Sequence, residues 1–245
     1  MTRVFLIATM ATALVGTLAS ADGEQPIRAL VVTGGHDFER EPFHAMLGAL
    51  EGIECTELAH PSVNELYVTG GIEQYDVVVL YDLYQDITPE QKAALLARIK
   101  GGLGIVGLHH SIADYEAWPA WRAVFGGHYW IAEHEKRGEK LPPSTFQHGI
   151  DIPVHIASPS HPITRGMSDF VIHDEVYGNY DVSPDVEVLL TTTQPLSSPF
   201  IGWAHTVGEG RVAYVQLGHD HEAYENESYR QLVGRAIRWA AKRLN

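Results

Sequence analysis

Gly104-Ile105-Val106-Gly107-Leu108-His109-His110-Ser111 is the stretch on which the fold turns. Its first half is short, apolar and β-branched, the composition of a buried strand. Two adjacent imidazoles follow at once. In an open α/β sheet, the turn at the carboxyl end of a strand is where ligands bind. Histidines there serve metal ligation or proton transfer better than core packing.

The segments upstream support a strand at this place. Thr88 reads as a helix N-cap, with Pro89 at the first helical position and Gln91 completing a capping box. Leu95, Leu96 and Ile99 share one face, and Gly101-Gly102 ends the helix. Before it, Tyr75 to Tyr81 is a near-continuous apolar run, the pattern of a parallel strand covered on both faces. Earlier still, Leu30-Val31-Val32-Thr33 gives a strand within 28–33, closed by Gly34-Gly35. Glu41 to Leu50 gives a helix with Phe43, Met46, Leu47 and Leu50 on one side, and Ile53 to Leu58 a second strand.

Downstream the periodicity weakens. Residues 114 to 184, rich in Trp, His, Pro and Gly, are expected to be an insertion of walls and loops over the strand ends. Regularity returns with strands at 186–191 and 211–217 and an edge strand at 200–205. A closing helix over 228–244 is expected to be capped by Ser228 and Gln231. Arg211 reads as a surface side chain after a hairpin turn, with no assigned role. Strands alternating with helices at this spacing imply a mainly parallel sheet with helices on both faces, in one domain spanning 22–245.

The first 21 residues are set apart from that domain. Arg3 precedes an apolar stretch, Val4 to Leu18, of about 15 residues, short of the ~20 a membrane-spanning helix needs. Ala19-Ser20-Ala21 supplies a small-x-small cleavage site, so a secretory signal peptide cut after Ala21 is expected, with a periplasmic or extracellular mature protein. No later segment is long and apolar enough to span a bilayer. Cys55 is the only cysteine, which excludes an intrachain disulfide. The formal net charge of −14 argues against nucleic acid or an anionic membrane as partner. Gly34-Gly35-His36 lacks both the Gly-x-Gly-x-x-Gly and the Gly-Lys-Ser/Thr signatures, so no nucleotide cofactor is expected.

Four strand ends carry polar chemistry: Gly34-Gly35-His36-Asp37, Asp82, His109-His110, and Gly218-His219-Asp220-His221. Parallel strands bring such ends to one edge of the sheet. Imidazole and carboxylate together suit a divalent metal such as zinc, and they suit metal-free acid–base work equally. His36, His109 and His219 are the candidate metal ligands. His110, Asp82 and Glu175 are the candidate catalytic groups, Glu175 belonging to Asp174-Glu175 in the insertion. Trp118, Trp121, Tyr129 and Trp130 form an aromatic cluster of the kind that lines sugar clefts or packs a core. Asp37, Trp121, Tyr129, His161 and Tyr177 are the candidate substrate-binding residues.

Taken in order, the motifs resemble the ThuA-like (trehalose utilisation) family. The matching residues are Val31 to His36, Tyr75 to Asp82, Gly101 through His110, Trp121, Phe125-Gly126-Gly127, and His161 to Thr164. They continue with Asp174 to Tyr177, Gly208 to Tyr214, Leu217 to Asp220, and Trp239-Ala240. The resemblance implies a class I glutamine amidotransferase-like fold, flavodoxin-like in broad terms. In amidotransferases of that fold a cysteine occupies the tight turn after a central strand. Here His109 occupies it, which speaks against cysteine-based amide hydrolysis. The resemblance also implies carbohydrate catabolism, with a small-molecule sugar, glycoside or keto-sugar as substrate. The competing expectation is a non-catalytic sugar- or partner-binding module of the cell envelope.

Overall fold

The computed structural model of the chain describes residues 25–83 and 86–245. The expected leader, 1–21, lies outside the described residues. The first half builds as the apolar patterning predicts. β1 (Ile27–Gly34), β2 (Ile53–Ala59), β3 (Val77–Asp82) and β4 (Gly104–Leu108) are separated by α1 (Arg40–Gly48), α2 (Asn64–Thr69) and α3 (Pro89–Lys100). The Thr88/Gln91 capping box forms in both directions at the start of α3. The short α2 was not expected from the sequence.

The region expected to be loops contains more regular structure than its patterning revealed. It holds α4 (Pro119–Phe125), β5 (Gly127–His128), β6 (His134–Lys136), β7 (Glu139–Leu141), β8 (Thr145–Ile156), β9 (Phe170–Gly178) and β10 (Asp181–Val182). β11 (Glu187–Thr192), β12 (Phe200–Val207), β13 (Gly210–Val215), α5 (His221–Glu225) and α6 (Glu227–Ala240) complete the chain.

Nine strands form one sheet in the order β2-β1-β3-β4-β13-β12-β11-β8-β9. From β2 to β13 every pairing is parallel, and from β13 to β9 every pairing is antiparallel. The insertion therefore extends the sheet through β8 and β9. The strand at 200–205, expected at an edge, lies inside the sheet between β13 and β11.

Alternation along the parallel strands feeds two cores. Ala29, Val31, Val77, Val79 and Tyr81 pack with α1 and α6 on one face. Leu30, Val32, Val78 and Leu80 pack with α2, α3 and α4 on the other. Two helix details depart from expectation. Asn226, not Ser228, caps α6, its side chain accepting from the Tyr229 amide at 3.1 Å. Arg211 is no idle surface residue: its guanidinium donates to the carbonyls of Trp239 and Leu244, tying down the end of the chain after α6. Among the described residues no helix is long and apolar enough to cross a membrane.

Candidate active site and metal centre

The carboxyl ends of β1, β3 and β4 meet β8 and β9 around a cavity of about 420 Å³. Its wall includes Gly35, His36, Leu83, His110, Tyr129, Phe146, His148, Glu175 and Tyr177. At the tip of β4 the chain makes a tight turn in which His109 takes φ 49°, the left-handed region. A non-glycine residue held there costs of order 1–3 kcal/mol, and such strain concentrates at functional sites. Gly107, within β4, lets Phe125 pack directly against the strand, because a Cβ at that position would collide with its ring.

His109 is buried and fully committed. Its Nδ1 lies 2.8 Å from the Gln216 carbonyl. A carbonyl only accepts, so Nδ1 carries the proton and the Nε2 lone pair points the other way. At Nε2 three groups converge: Tyr177 Oη at 2.8 Å, Glu175 Oε2 at 2.9 Å and His219 Nδ1 at 3.2 Å. The third side of the triangle, His219 Nδ1 to Glu175 Oε2, is 3.4 Å. These three edges approach the roughly 3.3 Å spacing of ligand atoms around a tetrahedral ion with bonds of about 2.0–2.1 Å. Two imidazoles and one carboxylate form a donor set that can hold a divalent metal.

The charge state agrees with that donor set. Burial alone would raise the Glu175 carboxyl, but its contacts with the His109 and His219 rings outweigh it and hold it well below the usual carboxylate range. The hydrogen bond to Glu175 in turn raises the His219 imidazole. Asp174, buried beside Glu175, accepts from the Gly218 amide at 2.7 Å and the His219 amide at 3.0 Å. It thereby fixes the backbone that carries His219. Gly218, at φ 116°, leaves no room for a side chain against the Tyr229 hydroxyl.

His110 faces the cavity from the next position along the chain. It stacks on His36 at 4.7 Å and meets Tyr81 edge-on at 4.4 Å. Neither of its ring nitrogens makes a hydrogen bond of normal geometry. Burial, with His109 and His36 nearby, lowers its pKa far enough to keep the ring neutral.

The structure thus brings together His109, His219, Glu175, His110, His36, Tyr129 and Tyr177. The metal-capable group is His109, Glu175 and His219. It takes in Glu175, expected as an acid–base residue, and does not include His36, which lies against His110 instead. Four other candidates sit elsewhere. Asp82 is fully buried beneath the site, paired with His60 Nε2 at 2.8 Å. Trp121 packs in the core between Trp118, Tyr115 and Phe125. His161 packs on Trp239 away from the cavity, and Asp37 is exposed and does not line it.

Phe146, His148 and Gln216 also stand at the site, without a signal in the sequence pattern. His148 reaches Glu175 Oε1 from β8 at 3.3 Å, and its ring lies 4.6 Å from that of His219. It sits in a register irregularity between Gln147 and Ile150, a local device that re-aims a strand side chain. Gln216 supplies the carbonyl that orients His109. The lone thiol, Cys55, stands on β2; burial pushes it up to about 11, which marks it as unreactive.

A family model described as ThuA, trehalose utilisation, matches residues 28–240. Among solved structures, a protein of Parabacteroides merdae described as ThuA-like superposes with a TM-score of 0.74 at 18% identity, over 88% of this chain and 90% of that one. One of Bacteroides uniformis, described in the same way, gives 0.66 at 20% identity over 91% and 94%. A glutamine amidotransferase of Thermotoga maritima gives 0.53 at 12% identity over 89% and 100%. No curated protein is significantly similar in sequence to this chain.

Proposed function

The chain belongs to the ThuA family, and from that premise we propose that it is an enzyme acting on a sugar, glycoside or keto-sugar at the cavity walled by Glu175, Tyr177 and His110. The family description makes its role one in trehalose utilisation, and so carbohydrate-related. The observation that carries the proposal is the triangle His109 Nε2, Glu175 Oε2 and His219 Nδ1 beside a cavity of about 420 Å³. A volume of that order suits a small polar ligand.

These three atoms would hold a divalent ion of the zinc kind, which when bound supplies Lewis-acid polarisation of a sugar oxygen. The chain's own residues do the rest. The Gln216 carbonyl fixes the His109 tautomer, as outer partners do for ligating imidazoles. Neutral, unpartnered His110 offers a ring nitrogen to a substrate hydroxyl or an acidified proton. The Tyr177 hydroxyl, whose ionisation burial strongly disfavours, stays protonated and donates. Tyr129 and Phe146 supply the apolar surface on which a pyranose face rests.

Metal analysis of protein purified without chelators tests the reading. About one equivalent of a divalent metal is expected, with retention lost in His109→Ala, His219→Ala and Glu175→Gln while the fold persists. Turnover in a sugar screen is expected to fall with the metal. A chain that binds sugars without turning any over, with or without added metal, would instead be a binding module. Export is proposed on the leader-like residues 1–21. Intact mass of protein recovered from the cell envelope should begin at Asp22, and a product retaining 1–21 would exclude cleavage.

A further inference from the structure

A second cavity, of about 290 Å³, lies against the short β5–β10 ribbon and is lined by Arg122, His128, Trp130, Lys136 and Asp181. We propose that it is a binding site for a small oxyanion, the phosphate or carboxylate group of a metabolite or a free anion. Arg122 is its centre. The guanidinium stands 4.2 Å over the Trp130 ring, and His134 stacks on that ring at 3.9 Å and 1°. This arrangement pre-orders the arginine at little further entropic cost. Yet Arg122 has no carboxylate partner among the described residues, and its buried Nε has no hydrogen-bond acceptor. Guanidinium nitrogens only donate.

His128 stands in the same position. It is 3% exposed, and its Nε2 is also without a partner. Burial and the neighbouring Arg122 charge lower its pKa to about 4, so it offers a neutral imidazole. The one carboxylate present does not serve these donors. Asp181 is held by Lys136 at 2.6 Å and by the Trp130 indole at 3.2 Å, which leaves the Arg122 charge uncompensated. Unsatisfied buried donors beside an uncompensated guanidinium call for a ligand that brings acceptors and negative charge. In a chain of net charge −14 such a spot runs against the overall field. Position gives it consequence: Tyr129, next to His128, lines the first cavity.

The test is calorimetric titration of the whole protein with inorganic phosphate, and separately with acetate, at low ionic strength. Saturable binding of one of the two is expected, the preferred one telling a tetrahedral from a planar group. Arg122→Gln should weaken it by about tenfold or more. Lys136→Gln, at a half-exposed position where the fold is expected to persist, should weaken it by a smaller factor. His219→Ala should leave it intact, which separates this site from the proposed metal centre. The proposal is overturned by an absence of saturable binding, by affinity that neither Arg122→Gln nor Lys136→Gln changes, or by loss of binding in His219→Ala.

Discussion

Asp174 decides where His219 stands, and it does so through backbone alone. Its carboxylate takes two amide protons, from Gly218 and His219, and a third from the amide of Glu175 at 2.8 Å. Asp174→Asn turns one acceptor oxygen into a donor facing amides. About 1–3 kcal/mol of stability is expected to go with it, and metal affinity should fall by about 10–100-fold, as for other groups that orient ligands. Competition with a chromophoric chelator measures this; unchanged affinity in a folded variant would remove Asp174 from the site. His109 and His219 were legible in the sequence because they follow apolar runs that can only be strands. Glu175 was legible as chemistry but not as a partner of those two, since the pairing depends on where an antiparallel extension brings β9. His148 was not legible at all. It lies in a polar, exposed half of β8, and a strand irregularity is what turns it inward.

Elements with a strong local signal formed where that signal lay, and elements held by tertiary contacts did not announce themselves. α3 has both its cap and its apolar face in the sequence. β8 and β9 do not alternate cleanly, because one end of β8 projects into solvent with Phe146 60% exposed while the other end joins the core. The 200–205 segment is interior because β13 and β11 pair with it antiparallel on its two sides, an arrangement that no local pattern encodes. The start of α6 shows how two plausible caps two residues apart are separated. Asn226 has the extended backbone, φ −68° and ψ 121°, that an N-cap requires, whereas Ser228 is already helical. Asn226→Ala is expected to cost about 1 kcal/mol, and Ser228→Ala only a few tenths. Thermal melting of the two variants decides, and an equal loss in both would put the cap back in doubt.

At the scale of the molecule, the parallel half of the sheet places one buried polar cluster under the site, and that cluster makes stability depend on pH. Asp82 is wholly buried at the end of β3, bonded to His60, with Asp114 also at its carboxyl. His60 Nδ1 is taken by Asn64 Oδ1 at 2.6 Å, so a neutral His60 presents Nε2 as an acceptor. Asp82 must then be protonated to donate to it. The electrostatics point the same way: burial pushes Asp82 up to about 7 and pushes His60 down. A carboxyl raised on folding binds its proton more tightly in the native state than in the unfolded chain. Its contribution is therefore complete below the ordinary value of 3.8 and is lost as the pH rises through about 7. His60, lowered on folding, has the opposite sign and loses its contribution as the pH falls through its own range. Asp82→Asn keeps a donor toward His60 and removes the titrating proton. Relative to the unaltered protein, its melting temperature should therefore be close near pH 4, rise between about pH 4 and 7, and level off above 7. A difference that stays flat, or that shrinks with rising pH, would mean that Asp82 is ionised in the native state and that His60 carries the balancing charge.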